Sequence, residues 1–304
     1  MEEILRCGVV GAGVFGGHHA RKYASLPGAV LSGVYDPNPE RAASLVMPLG
    51  GRAFSDLDAF LEAVDVVSLA SPATVHAEQA LRALAAGKSV YVEKPIATSV
   101  ADAWKIVDLA RQQGLVVAAG HQERVLFEAM GLLGLAERPL FMEAVRHGPP
   151  SGRSLDVSVV LDLMIHDLDL ALALSGSEPV AAEGDGTVSE QGLWDEARSE
   201  VTFAGGLIAR FDVSRQAPER RRTMRLVYAE GEVEIDFLTR AFRNTTGFDL
   251  NPGFADTAQA KDTLGASIAR FLDAVRGRGQ VVVDAVAATQ ALDLALAVEQ
   301  GLEG

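Results

Sequence analysis

The sequence predicts an α/β domain built on a doubly wound parallel sheet, followed by an α+β domain with an open, mainly antiparallel sheet. Three observations predict it. Short β-branched runs alternate with helix-periodic stretches over the first 120 residues, a glycine triplet follows the first of those runs, and the alternation gives way after Gly120 to consecutive strand-like runs. At 304 residues the chain also exceeds the length at which one hydrophobic core stops growing.

In the first part, strands are predicted at Leu5–Val10, Val30–Tyr35, Val66–Leu69, Ser89–Val92 and Leu115–Ala119. Helical spacing of apolar residues appears between them at Val75–Ala86 and Val100–Gln113. Ser99 stands where an N-cap belongs, and Gly87 and Gly114 stand where helices end. Strands joined by helical crossovers form a parallel sheet. In the second part, a helix near Leu126–Leu135 leads to a strand at Leu140–Arg146, a Gly/Pro loop at Gly148–Gly152 and a buried helix from about Val159 to Leu174. Strands then follow at Val180–Ala182, Ser199–Phe203, Gly206–Val213, Thr223–Ala229 and Glu232–Phe237, with turns and no crossovers between them. Amphipathic helices at Leu264–Arg276 and Asp284–Leu302 complete the chain. The expected domains are 1–121 and 122–304, with the last helix able to pack back on the first domain.

Composition removes several classes of function. A formal net charge of −14 without a basic stripe argues against nucleic acid as a partner. The longest apolar stretch, Val157–Ser175, is interrupted by Asp162, His166, Asp167 and Asp169, so it is expected to be a buried helix and not a membrane span. Cys7 is the only cysteine, so no intrachain disulfide forms, and no spacing of ligands demands a metal. The start of the chain carries no signal-like segment, and a cytoplasmic location is expected.

Gly11-Ala12-Gly13-Val14-Phe15-Gly16 follows the first strand and opens a helix, which is the arrangement of a Rossmann dinucleotide site. Asp36 ends the second strand twenty residues after Gly16, the spacing that brings a carboxylate to the adenosine ribose. A carboxylate accepts hydrogen bonds from the ribose diol and repels a 2'-phosphate, so NAD is favoured over NADP. Gly11, Gly13, Val14, Phe15, Gly16 and Asp36 are the expected cofactor residues, joined by Ser71, Pro72, His76, Glu93 and Lys94 at later strand ends.

Glu93-Lys94-Pro95 follows the strand Ser89–Val92 directly, at the edge where open α/β sheets hold their ligands. Farther on, Asp162 and His166 stand at i and i+4 and Asp169 three beyond, on one face of an otherwise apolar helix. Such a seam needs partners. For Asp167 and Asp169 an internal network is the expected reading, whereas Asp162 and His166 are candidates for chemistry. A neutral imidazole suits removal of a hydroxyl proton, a lysine suits stabilisation of developing alkoxide, and a carboxylate suits orientation of either. Lys94 and His166 could exchange roles, and His76, His121 and the pair His18-His19 are weaker candidates.

With these residues in place, the chain resembles the glucose-fructose oxidoreductase, inositol dehydrogenase and MocA family along its whole length. The glycine loop, Asp36, Glu93-Lys94-Pro95, Gly120-His121-Gln122-Glu123-Arg124 and the Asp162–His166 helix carry the resemblance. It implies that Lys94, Asp162 and His166 are catalytic and that the cofactor is NAD. Within the family the chain resembles members that oxidise the 3-hydroxyl of UDP-N-acetylglucosamine or its uronic acid. That resemblance implies a sugar or nucleotide-sugar substrate, met by Lys94, His121, Glu123, Arg124, Arg146, Arg153, Asp162 and His166. The three arginines are expected to receive a diphosphate in an otherwise acidic protein. Val125-Leu126-Phe127 departs from the Phe-Asn-Pro common in nucleotide-sugar members, which keeps open a free polyol or monosaccharide such as inositol. A non-catalytic dinucleotide sensor is the reading from another class. A homodimer or homotetramer is expected from the second face of the open sheet.

Overall fold

The computed structural model describes residues 4–151 and 156–304. The expected strand and helix alternation is present in the first part: β1 (Leu5–Val10), α1 (Val14–Ser25), β2 (Ala29–Tyr35), α2 (Pro39–Val46), β3 (Arg52–Phe54), α3 (Leu57–Glu62), β4 (Val66–Leu69), α4 (His76–Ala85), β5 (Ser89–Val92), α5 (Val100–Gln113) and β6 (Val117–Ala119). All neighbouring strands are parallel, in the order β3-β2-β1-β4-β5-β6. The order reverses at β1 and β4, the switch point at which such sheets bind ligands beyond their carboxyl ends. Ser99 caps α5 by accepting from the Asp102 N–H, and Gly114 ends it in the left-handed conformation. The strand β3 was not expected, since three residues carry too little pattern to register.

The second part contains α6 (Glu123–Met130), β7 (Phe141–His147), α7 (Ile165–Ser175), β8 (Pro179–Val188), β9 (Trp194–Phe203), β10 (Ile208–Ser214), β11 (Arg221–Tyr228), β12 (Gly231–Asp236) and β13 (Phe242–Asn244). It is followed by α8 (Ala258–Lys261), α9 (Thr263–Val275), α10 (Ala285–Gln300) and β14 (Leu302–Glu303). The eight-stranded sheet runs β13-β12-β11-β7-β10-β9-β8-β14, antiparallel except where β7 meets β10 and β8 meets β14. Period-two alternation places Met142, Ala144 and Arg146 of β7 on its buried face, and Phe141, Glu143, Val145 and His147 on the other. No helix of the described residues is long and apolar enough to cross a membrane.

The two units are not the contiguous halves suggested by sequence. Residues 262–289 cluster with those up to Gln122, while 123–261 and 290–304 form the second unit. The reason is visible in the first core, where Leu264, Ile268, Phe271 and Leu272 of α9 are buried among Cys7, Val9, Tyr23, Leu31 and Tyr91. Phe271 meets Tyr91 edge to face with ring centroids 5.9 Å apart. An amphipathic pattern reports that a helix buries one face and is silent on which core receives it.

Candidate active site

In the first unit the glycine loop is shaped from the backbone. Gly11 has φ +97°, and a Cβ there would lie 2.8 Å from the Ala70 carbonyl oxygen. A Cβ on Gly16 would collide with the Gly11 carbonyl, whereas one on Gly13 would meet nothing within 4 Å. The helix α1 therefore packs tightly on β1 while its first turn, which has no side-chain cap, presents backbone N–H groups over open space. Val14 and Phe15 are about half exposed on the same lip, at 53% and 49%. Asp36 is buried and pre-oriented. Its Oδ2 accepts from the Ala12 N–H at 2.8 Å and its Oδ1 from the Asn38 N–H at 2.8 Å. An open pocket lined by Ala12, Asn38, Glu40, Arg41 and Leu45 adjoins it. These features fit a dinucleotide: a backbone cradle for pyrophosphate, a fixed carboxylate for a ribose diol, and a second acid, Glu40, against a 2'-phosphate.

At the end of β5 lies an arrangement that sequence reasoning missed. His19, dismissed as a weak candidate, is fully buried, with Nε2 2.8 Å from Glu93 Oε1 and Nδ1 3.0 Å from Ser68 Oγ. Tyr23 Oη is 2.6 Å from the same Ser68 oxygen. Burial pushes the Glu93 carboxyl up, but the hydrogen bond and charge of His19, with Lys94 and His76 nearby, hold it below the ordinary range. An ionised Glu93 can only accept, so His19 donates to it from Nε2, while Nδ1 and Tyr23 Oη both meet the Ser68 hydroxyl. The chain of bonds is fully satisfied and fixes the residue before Lys94. Gly120 is required beside it, because a Cβ there would lie 2.6 Å from Glu93 Oε2. The only sequence signal was His19 falling three residues after Gly16, on the face of α1 that meets the sheet.

His76 secures the other side of the Lys94 segment. Its ring nitrogens face the carbonyl oxygens of Pro95 at 2.8 Å and Ser71 at 2.9 Å. Ser71 donates from its hydroxyl to Gln79 at 2.6 Å, and Pro72 begins the turn that enters α4. His121 is buried immediately after β6.

In the second unit the expected α-helical seam is modified. Val160–Met164 form a π-turn in which the Ile165 N–H bonds to the Val160 carbonyl, and α7 continues from Ile165. The turn is wider than an α-turn and carries Asp162 ahead of the residues of α7. Asp162 is half-buried within this turn. The carboxylate that holds His166 is Glu123 of α6, at 2.8 Å from Nδ1. Sequence reasoning, which named Asp162 to orient the imidazole or the lysine, did not foresee this partner. Glu123 was expected to touch substrate, and its pairing was invisible because the two residues lie 43 positions apart.

Behind the pair is a buried ion network. Arg146 donates to Glu123 at 3.0 Å and, through two nitrogens, to Asp167 at 3.0 and 2.8 Å. Arg124 donates to both carboxylate oxygens of Asp169 at 2.7 and 2.8 Å. The expectation of an internal network for Asp167 and Asp169 matches these pairs. Arg146, at 3% exposure, is thereby an internal anchor and leaves the set expected to receive a diphosphate. Arg124 is turned into its own pair, and Arg153 lies outside the described residues. Burial alone would raise the Glu123 carboxyl, but the charges of His166 and Arg146 and the hydrogen bond from His166 hold it well below the ordinary range. Because Glu123 is ionised and can only accept, the proton of a neutral imidazole sits on Nδ1, leaving the Nε2 lone pair to act as a base. Ser158, at the entrance to the π-turn, is hydrogen-bonded to Glu299 of α10, which braces this segment.

Comparison with known proteins places these features. Residues 5–121 match the model of an oxidoreductase family with an NAD-binding Rossmann fold, and residues 146–234 match that of the GFO/IDH/MocA C-terminal domain. The chain belongs to the GFO/IDH/MocA oxidoreductases. It is an NAD-dependent oxidoreductase, as its cradle and Asp36 require. It is 36% identical to UDP-N-acetylglucosamine 3-dehydrogenase of Acidithiobacillus ferrooxidans over 98% of this chain and 97% of that protein. A solved structure of that enzyme matches with TM-score 0.90, covering 100% of this chain and 99% of the other. The chain is also 26% identical to an NAD-dependent scyllo-inositol 2-dehydrogenase of Bacillus subtilis, over 98% of this chain and 94% of the relative.

Proposed function

We propose that this member of the family oxidises the 3-hydroxyl of UDP-N-acetylglucosamine or a closely related UDP-sugar, with His166 as the base. The observation that carries the chemistry is the ionised Glu123 on His166 Nδ1, which leaves Nε2 as the proton acceptor. The substrate reading rests on a relative of that specificity that is 36% identical along essentially the whole chain.

His166 Nε2 takes the hydroxyl proton, and the imidazolium that forms is stabilised by the Glu123 carboxylate. Lys94, held between the His19–Glu93 chain and the His76 bridge to Pro95, donates to the carbinol oxygen as negative charge develops there. Asp162, in the π-turn that precedes α7, completes the catalytic set by orienting the imidazole or the lysine. NAD, when bound, supplies the hydride acceptor. The resulting 3-keto sugar is a substrate for transamination, which fits a route to amino sugars of lipid A or surface polysaccharide.

We further infer a homodimer or homotetramer that uses the exposed face of the second unit's sheet. Across that face the register aligns Glu200, Arg210, Glu143, Arg225, Glu234 and Arg243 in one alternating row, flanked by exposed Ile208 and half-buried Phe141 and Val145. An alternating row can be self-complementary about a two-fold axis.

The function is tested by incubating the protein with NAD and separate UDP-sugars, free N-acetylglucosamine and inositol. A transaminase trap draws the uphill oxidation forward, and mass spectrometry detects the product. A 3-keto UDP-sugar is expected. Turnover of inositol alone, with the trap present throughout, overturns the substrate reading in favour of a free polyol.

A further inference from the structure

With Arg146 enclosed by carboxylates, the second unit holds another arginine that sequence reasoning passed over. The run Arg220-Arg221-Arg222 is unusual in a chain of net charge −14, and the pleat of β11 divides it. Arg221 is exposed, while Arg222 is half-buried and points to the opposite face of the strand. The β7–β11 register puts Arg222 directly opposite Arg146, on the sheet face that also carries Met142, Ala144, Met224 and Leu226. Arg222 therefore lies beside the ion network that orients His166.

Each carboxylate oxygen of Glu123 and Asp167 already accepts one hydrogen bond from another partner. Glu123 uses Oε1 for Arg146 and Oε2 for His166, and Asp167 uses both oxygens for Arg146. Among the described residues, Arg222 side-chain nitrogens make no hydrogen bond or ion pair. Burial, and then the adjacent charge of Arg146, lowers the guanidinium from its ordinary value, with Arg220 adding to the repulsion and Glu123 and Asp167 opposing it. A half-buried guanidinium with five donors and no carboxylate of its own is costly unless an anion completes it. Among the described residues none is hydrogen-bonded to it. We propose that Arg222 is a specificity-determining residue that receives an anionic oxygen group of the substrate, a phosphate of a nucleotide diphosphate or the carboxylate of a uronic acid. This rests on the UDP-sugar reading and adds Arg222, one strand across from Arg146, to the arginines Arg124, Arg146 and Arg153 from which sequence expected anion recognition.

The role belongs to binding and not to the proton transfer. Arg222 is separated from His166 by the Glu123–Arg146 pair, so its contact with the anion is equally present in the ground and transition states. Its loss should then raise KM and leave kcat nearly unchanged. Lysine in its place keeps the charge but loses the planar fork, so Arg222→Lys should recover only part of the affinity.

The test uses the full NAD-loaded protein, Arg222→Gln and Arg222→Lys, with UDP-N-acetylglucosamine, its uronic acid and uncharged N-acetylglucosamine. Calorimetry with UDP and with free glucuronate is run alongside. For Arg222→Gln the expected result is a KM raised about tenfold or more for UDP-sugars, a kcat within about threefold, and undiminished NAD binding. Equal increases for both UDP-sugars, with UDP binding lost, assign the contact to the diphosphate; an increase confined to the uronic acid, with glucuronate binding lost, assigns it to the carboxylate. Unchanged KM and unchanged UDP and glucuronate binding in Arg222→Gln overturn the inference, as does a fall in kcat at constant KM for every sugar. If wild type binds UDP or glucuronate through Arg222 but turns over no UDP-sugar, the Arg222 assignment stands and the substrate reading falls. If wild type binds neither ligand, both fall.

Discussion

Replacing Glu123 with glutamine keeps the size of the side chain and removes its charge, at the point where the imidazole of His166 and the guanidinium of Arg146 converge. The wild-type carboxylate accepts at 2.8 Å from His166 and at 3.0 Å from Arg146. A hydrogen bond to a charged group contributes about 1.5–3 kcal/mol, so losing carboxylate support for the developing imidazolium lowers turnover by roughly ten- to a hundredfold. A further loss follows from geometry. If the amide oxygen stays with Arg146, its NH2 faces His166 Nδ1, which must then accept, and the ring proton moves to Nε2. That forfeits a general-base contribution on the order of 10²–10⁴. The expected kcat for Glu123→Gln is thus lower by about tenfold to a hundredfold if only the charge support is lost and by a factor on the order of 10³ or more if the tautomer also changes, with NAD affinity unchanged by calorimetry. Arg146 keeps both bonds to Asp167, so the fold survives with a loss of about 1.5–3 kcal/mol.

That loss depends on pH. Glu123 has a folded pKa well below its ordinary 4.5, so its charge stabilises the fold above that ordinary value, and the stabilisation disappears as pH falls toward the depressed folded value. Denaturant unfolding should accordingly show the full wild-type-to-variant gap at neutral pH and a shrinking gap below about pH 4.5. A folded Glu123→Gln protein with kcat within about threefold of wild type would refute the dyad.

Lys94→Met is expected to leave NAD binding nearly intact and to lower kcat by about a hundredfold or more, since the lysine acts on charge that develops only in the transition state; unchanged kcat in steady-state assays would remove it from the catalytic set. Asp36→Ala should weaken NAD and narrow its advantage over NADP, because the carboxylate held by Ala12 and Asn38 is lost, and titration of both cofactors measures this. Phe271→Ala should destabilise the protein by about 3–5 kcal/mol, since its fully buried ring fills the first unit's core against Tyr91; thermal unfolding that matches wild type would contradict the assignment of α9 to that core. Burial pushes the Cys7 thiol up to about 12, so thiol reagents should label it only on unfolding, and rapid labelling of native protein would show that β1 is accessible.

Much of the fold was legible locally. Strand and helix periods, the Ser99 cap, the Gly114 terminator and the glycine loop are decided by residues within a few positions of one another, and a single chain carries that information in order. The cofactor half of the site was legible for the same reason, because Gly11 to Gly16 and Asp36 belong to one βαβ unit. The short strands β3, β13 and β14 escaped because two or three residues hold no periodicity. The two-unit partition escaped because α9 shows an apolar face without naming its partner core. The partners of the charged residues could be settled only in three dimensions. Sequence offered His166 a carboxylate four residues away, and did not show that Glu123, arriving from α6, is hydrogen-bonded to its Nδ1. It offered a diphosphate three arginines; packing pairs Arg124 with Asp169, encloses Arg146 between Glu123 and Asp167, and leaves Arg222 beside them with no carboxylate hydrogen-bonded to it among the described residues. A buried charge must find its opposite wherever the fold brings one within about 3 Å, and that distance is indifferent to separation along the chain.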